Sequence, residues 1–326
     1  MVNAQTWLDQ NYPPKGKCIR KTEKEGGHYY TMSNYDKNRT EITLLSIANK
    51  NLEGHLDLRG FSNLEGLICS SNQLTSLDVS DCPRLEKIQG YNNKISSLDL
   101  SKNKQLIELN FCDNELSTLD LAENTKLRKL KIGGNKIESD LSIFSHLIDL
   151  EELRIGRGYK KNDYTVNKFF GSLKPLVNLK KLVWLNINFQ SDLEADLEYL
   201  PVWWLSYFYC AGTKAETLIV RNEGSDLSDF DLSFHLKIWQ WLNLEKIHSA
   251  QPELVNSDRW KKAVEKKAKE FTNRCVSEIN WSSFLLKKRD FWKRNLIISI
   301  LVNIVLILYI VWNKWKVQAR KKQPQN

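Results

Sequence analysis

Residues 64–126 read LEGLICSSNQLTSLDVSDCPR, LEKIQGYNNKISSLDLSKNKQ and LIELNFCDNELSTLDLAENTK, three units in succession at a fixed spacing of 21 residues. Each follows L-x-x-L-x-(apolar)-x-x-N-x-L and then L-D-(apolar)-(small). A fixed short period sets the architecture before any single residue is weighed. A unit this short cannot bury its own apolar face. Stacked on its neighbours it shares a continuous core, which makes an open-ended solenoid rather than a globule.

Leu64, Leu67 and Cys69 are the strand residues of one unit, with Asn72 and Leu74 after them. Leu85, Ile88, Gly90, Asn93 and Ile95 take those places next, then Leu106, Leu109, Phe111, Asn114 and Leu116, then Leu127, Leu130, Ile132, Asn135 and Ile137. Alternation across L-x-L predicts a half-buried strand. The Asn that follows can bond the backbone of the turn. Asp78, Asp99 and Asp120 recur in the return segment, where a turn-favouring side chain is expected.

This pattern resembles the leucine-rich repeat family, and the 21-residue form is most similar to repeats of bacterial surface proteins and of some expanded fungal families. The resemblance implies an α/β solenoid with parallel strands on its concave face and helical caps. It also implies a scaffold or adaptor that binds protein partners, not a catalyst. The pattern decays outward, as end units that cap a core should. Ile42, Leu45, Ile47 and Leu52 fit, with Lys50 replacing Asn; Leu150, Leu153 and Ile155 fit, and an insertion (GRGYKKNDYTVNKFFGSLKP) follows. Leu179 and Leu182 restart the pattern with Trp184 in the third slot, and Leu205, Phe208 and Cys210 make a last strand. The expected organisation is a cap and loop (1–41), the solenoid (42–213), a helical cap and basic stalk (214–286), a transmembrane helix (295–312) and a basic tail (313–326).

The net charge of +9 is unevenly spread. From Val255 onward there are 17 Lys and Arg against 5 Asp and Glu, a net of +12, so the preceding residues carry 31 against 34, a net of −3. A solenoid built for nucleic acid would carry its positive excess in the repeats, so no nucleic-acid partner is expected. None of the six Cys forms C-x-x-C. Cys69 and Cys210 fall in core slots, where a free thiol acts as a small apolar side chain, and all six read as reduced and structural.

The N-terminus has no apolar core of signal-peptide length. Asn3 is placed to cap a short helix bearing Ala4, Trp7 and Leu8, ended by Pro13 and Pro14, over the first repeat. Near the other end, residues 295–312 read NLIISILVNIVLILYIVW, uncharged and flanked by Trp292, Trp315 and basic clusters. Eighteen residues at 1.5 Å rise span roughly 27 Å, enough for a bilayer core. A single-pass, tail-anchored protein is expected, with its body in the cytosol, at the endoplasmic reticulum or mitochondrial outer membrane. The flanking Lys and Arg balance across the span, so they do not fix its orientation. Asn295, Ser299 and Asn303 share one helix face and are candidates for pairing with another membrane helix, a second copy included.

Between solenoid and span, Leu227, Phe230, Phe234, Ile238 and Trp241 or Leu242 form one stripe, expected to cap the last repeat. Trp260, Val264, Ala268, Phe271, Cys275 and Ile279 form a second, beyond Pro252. Lys261, Lys262, Lys266, Lys267 and Lys269 beside it are candidates for anionic lipid headgroups, or for a solvated stalk.

No catalytic motif is present, and the five His have no ligand-spaced partners, so no catalytic residue, metal or cofactor is expected. The concave face is the expected working surface. Its candidate residues run Glu65, Ile68, Ser70, Glu86, Gln89, Tyr91, Glu108, Asn110, Asp113, Arg128, Lys131, Arg154 and Arg157, turning from acidic to basic, with Tyr91 the expected hot spot. An alternative is a receptor-like protein with the solenoid outside the cell or in a lumen, which glycan at Asn38 or Asn280 would favour. An enzyme hidden in 214–286 is disfavoured, because that stretch lacks a nucleophile–base pair.

Overall fold

In the computed structural model each repeat unit makes one turn of a β-solenoid, opening on a strand of three residues. The structure describes residues 2–19, 34–158, 165–201 and 205–219, and, further on, 233, 236, 240, 243, 247, 249–253, 258 and 262. In chain order the strands are β1 (Val2–Asn3), β2 (Leu44–Ser46), β3 (Leu52–Asp57), β4 (Gly66–Ile68), β5 (Gln73–Asp78), β6 (Lys87–Gln89), β7 (Glu108–Asn110), β8 (Lys129–Lys131), β9 (Glu138–Asp140), β10 (Glu152–Arg154), β11 (Lys168–Phe170), β12 (Trp184–Asn186) and β13 (Tyr207–Tyr209). β2, β4, β6, β7, β8, β10, β12 and β13 pair in that order into one parallel sheet. β1, β3 and β5 make a second sheet, and β9 pairs with β11.

The register follows the repeat. Leu45, Leu67, Ile88, Leu109, Leu130, Leu153, Leu185 and Phe208 stand side by side at the strand centres, all buried. Each such side chain contributes about 1.5–3 kcal/mol by leaving water. The restart expected at Leu179 is shifted by three residues. Leu182, Leu185 and Ile187 are the buried set, and Trp184 turns outward, half-buried. The spacing L-x-x-L occurs twice in succession here, at 179–182 and 182–185, and only the second leaves Gln190 three residues past the last core residue.

Behind the strands runs a column of side-chain amides. The Oδ1 atoms of Asn72, Asn93, Asn114, Asn135 and Asn167 accept the N–H of Leu52, Leu74, Ile95, Leu116 and Ile137, each in the preceding turn, at 3.0–3.1 Å. Their Nδ2 groups donate to carbonyls of both turns, as Asn135 does to Phe111 (2.8 Å) and Ile132 (2.9 Å). Gln190 continues the column, accepting from Phe169 N–H at 2.9 Å. Asn167 is a rung displaced from its strand by the insertion, which therefore sits within a turn and not between two of them. Ser71, Asn92, Asp113 and Gly134, one residue before each rung, take the left-handed conformation, with φ of 55°, 56°, 57° and 69°.

The return side is extended backbone and 3-10 turns, and α-helices are confined to the ends among the described residues. With strand, amide turn and the following Leu taking half of 21 residues, each unit has too few left for a helix. Asp78, Asp99 and Asp120 each accept the N–H two residues on, as their turn placement predicts, and Asp57 and Asp140 do the same, all at 2.7–2.9 Å.

Both ends carry caps. Helix α1 (Ala4–Asn11) starts at Asn3, whose side chain accepts Thr6 N–H at 2.9 Å, and it buries Ala4 and Leu8. β1 adds to the edge of β3. Arg39, buried, ties this cap down: it donates to the carbonyls of Tyr12 (2.8 Å) and Arg59 (3.0 Å), pairs with Asp9 (2.5 Å) and lies 5.1 Å from the Phe61 ring centre. At the far end, after helix α2 (Lys214–Ile219), Ser233, Leu236 and Gln240 are buried helical residues spaced along one face. Ser233 donates to Ser206 C=O (3.0 Å), and Gln240 to Leu197 (2.7 Å) and Leu200 (3.1 Å). The stripe expected at Leu227, Phe230, Phe234, Ile238, Trp241 and Leu242 lies outside the described residues, as does the second, from Trp260 to Ile279.

The chain divides into Met1–Trp241 and Leu242–Asn326. In the second unit, Ile247 and Gln251 bond back to Asn243 (3.3 Å) and Ile247 (2.7 Å) in helical fashion. Among the described residues no helix is long and apolar enough to cross a membrane. The stretch 295–312, with Asn295, Ser299 and Asn303, lies outside them, as do Lys261, Lys266, Lys267 and Lys269; Lys262 is described, exposed in a helical turn.

Candidate functional site

The outward residues of the eight-stranded sheet are the first and third of each strand, because the second points into the core. Their first column includes Lys87, Glu108, Lys129, Glu152, Trp184 and Tyr207; the second includes Ile68, Gln89, Asn110, Lys131, Arg154, Asn186 and Tyr209. Of the expected face residues, Ile68, Gln89, Glu108, Asn110, Lys131 and Arg154 hold such positions.

Glu65, Glu86 and Arg128 do not. They stand one residue before their strands, and their neighbours Gly66, Lys87 and Lys129 occupy the outward slots. Arg128 is exposed and bonds Glu151 in the same preceding column, which holds its guanidinium above the ordinary value. Ser70 is buried and Tyr91 half-buried, both just past the strands. Asp113 is buried in the left-handed turn position, its carboxylate against the backbone of Gly134 and Gly158; a side chain on Gly158 would meet it. Arg157, half-buried, follows the Gly156 turn. The expected run from acidic to basic mixes these columns: in the first, Lys87, Glu108, Lys129 and Glu152 alternate in sign, and in the second Lys131 and Arg154 are adjacent cations.

The two first-column carboxylates hold shared ion pairs. Glu108 lies between Lys87 (3.6 Å) and Lys129 (3.1 Å). Glu152 takes Lys131 (3.2 Å) and Arg154 (2.5 Å). The more exposed Glu108 pairs contribute about 0–1 kcal/mol each, so they organise the surface more than they hold the fold.

The last two strands differ in kind. The Trp184 ring stacks on Tyr207, with centroids 4.1 Å apart and planes at 30°, and on Tyr209, at 5.6 Å and 22°. The guanidinium of Arg154 lies over the other side of this cluster, 4.3 Å from the Trp184 ring centre. Tyr207 is 41% exposed and Val183 beside it 40%. Trp184 Nε1 is buried without a hydrogen-bond partner among the described residues. Sequence reading missed Trp184, Tyr207 and Tyr209 because it placed Trp184 in a core slot. The signal was the run L-x-W-L-N-I at 182–187, where the outward positions of L-x-x-L-x-I are Trp184 and Asn186.

Cys18, Cys69, Cys82, Cys112 and Cys210 are buried thiols outside any disulfide, and Cys275 lies outside the described residues. Burial pushes the thiols of Cys69 and Cys82 up to about 12. Among the described residues no group of His, Cys, Asp and Glu is arranged to hold a metal.

No model of a known protein family matches the sequence, and no curated protein is similar to it. Solved structures do resemble it. A leucine-rich repeat protein of Leptospira interrogans is 21% identical over 53% of this chain and 44% of its own, with a TM-score of 0.46. An internalin of Listeria monocytogenes is 24% identical over 46% of this chain and 42% of its own, with a TM-score of 0.36. A plant peptide hormone receptor in complex with RGF2 is 19% identical over 54% and 34%, with a TM-score of 0.42. The chain spans less than half the length of each.

Proposed function

We propose that this chain is a non-enzymatic, membrane-anchored solenoid that binds a protein partner through its concave sheet, chiefly at the end formed by β10, β12 and β13. The observation that carries the reading is the stack of Trp184, Tyr207 and Tyr209 against Arg154. Trp, Tyr and Arg dominate binding energy at protein interfaces: the two aromatics offer large area with few rotamers to freeze, and Arg offers a planar, multidentate donor set. Exposed Val183 and Tyr207 extend the patch, and a rigid sheet holds it in a fixed shape.

A photo-crosslinking residue at Tyr207, compared in cells with one at Ser101 on the return side, tests this. Discrete adducts from position 207 that Trp184→Ala abolishes support it; equal or absent adducts from both positions refute it.

The anchor is read from the uncharged run 295–312. Pairing through Asn295, Ser299 and Asn303 and headgroup contact by the lysines at 261–269 belong to the same proposal. Alkaline washing followed by protease protection tests it. Retention in the washed pellet supports the anchor, and digestion of an N-terminal tag puts the solenoid on the cytosolic side. A protected tag or added glycan puts it in a lumen or outside, as in the receptor-like alternative.

A further inference from the structure

Cations outnumber anions on the outward face of the eight-stranded sheet from β6 onward: Lys87, Lys129, Lys131 and Arg154 against Glu108 and Glu152. Each carboxylate is met by two cations. Within the two outward columns this leaves two cations in excess, and on β12 and β13 no carboxylate occupies an outward slot.

Arg154 differs from the lysines. Its Nε bonds Glu152 at 2.5 Å, its plane rests over Trp184 at 4.3 Å, and its two Nη nitrogens have no protein partner among the described residues. The side chain is 26% exposed. A guanidinium held at its base and along one face, with its prongs open, has already lost the rotamer freedom that binding would otherwise cost. Its planar fork fits the two oxygens of a carboxylate, and the rings beside it lower the local polarity in which that pair would form.

We infer that Arg154 seated on Trp184 is the anion-recognition point of this face, and that the partner is an extended acidic peptide segment. It sets one carboxylate on the Arg154 fork and lays an apolar side chain on Val183 and Tyr207. Further acidic residues face Lys129 and Lys87. From β6 to β13 the sheet is five strand spacings wide, roughly 24 Å at about 4.8 Å each, which an extended peptide of about seven residues covers. This inference rests on the protein-binding reading of the same face.

The test is a random 12-residue peptide display library panned against the full chain in lipid nanodiscs, with selected peptides then measured by fluorescence anisotropy. The expected peptides carry Asp or Glu beside an aromatic or aliphatic residue. Arg154→Gln weakens them about tenfold to a hundredfold, the range for a charge-assisted hydrogen-bonded pair, and Arg154→Lys weakens them less. Thermal melts of both variants show that the fold is kept, and raised salt weakens binding. Peptides without acidic enrichment that still lose affinity in Tyr207→Ser overturn the anion assignment while leaving the protein-binding face standing. Peptides indifferent to both Arg154→Gln and Tyr207→Ser, or no enrichment at all, overturn both.

Discussion

Phe111 fills the space that a side chain on Gly90 would need: a Cβ there would lie 2.7 Å from the ring's Cζ. The two residues occupy the same slot in successive turns, one at the small extreme and one at the large. Gly90→Val should therefore destabilise the solenoid by about 1–3 kcal/mol through overpacking. Phe111→Leu frees that volume, so the double variant should cost less than the two single changes added together, by about 1 kcal/mol. Urea unfolding followed by circular dichroism measures the cycle, and strict additivity would show that the ring does not occupy this space in solution.

Asn114 serves two turns at once. Its Oδ1 accepts Ile95 N–H at 3.1 Å, and its Nδ2 donates to the carbonyls of Gly90 (3.0 Å) and Phe111 (3.3 Å). Asn114→Ala leaves these buried backbone groups unpaired, at about 1–3 kcal/mol for each that water cannot reach. We expect a loss of about 3 kcal/mol or more, against about 0.5 kcal/mol for Gln89→Ala, exposed on the sheet face. Equal losses at the two sites would mean the amide column contributes little.

Regularity decided what was legible in the sequence. From Leu64 to Ile137 the period is constant, so core slots, amide rungs and Asp turns fall where the pattern places them. Past Ile155 it breaks. The insertion separates Asn167 from its strand, and the doubled L-x-x-L around Leu182 offers two registers, of which only one aligns Gln190 with the column. Choosing the other turned Trp184 inward on paper and hid the aromatic cluster, since stacking between Trp184 and Tyr207 joins residues from different turns. Glu65, Glu86 and Arg128 were misplaced for a smaller reason. The backbone bends between the first Leu of each unit and its strand, so counting outward positions from that Leu is one residue off. The ion pairs of Glu108 with Lys87 and Lys129, and of Glu152 with Lys131, also join separate turns and have no local signature.

The N-terminal cap hangs on Arg39. Removing it strands the Tyr12 and Arg59 carbonyls and leaves Asp9 without its cation. Arg39→Met keeps the apolar contact with Phe61 but none of these bonds, and should cost about 2–4 kcal/mol. The loss should be local: hydrogen exchange in α1 and β3 should speed up while amides near Leu130 keep their protection. Protection lost evenly along the chain would contradict a cap that acts on the first turn alone.

Acid should loosen the return side of the solenoid. The Ser80 and Ser101 backbone N–H groups, with their hydroxyls, hold the carboxyls of Asp78 and Asp99 below the ordinary value, and the Ser142 hydroxyl and N–H do the same for Asp140. A carboxyl whose folded pKa is depressed stabilises the fold above its unfolded pKa, about 3.9, and that stabilisation is lost as pH falls through the folded value. The urea midpoint should therefore hold between about pH 7 and 5 on account of these groups and decline below about pH 4. In the triple variant Asp78→Asn, Asp99→Asn, Asp140→Asn each amide still accepts the turn N–H but no longer titrates, so the decline should be shallower. An acid limb equally steep in the triple variant would assign the effect to other carboxylates, with the Glu108 and Glu152 ion pairs next to be neutralised.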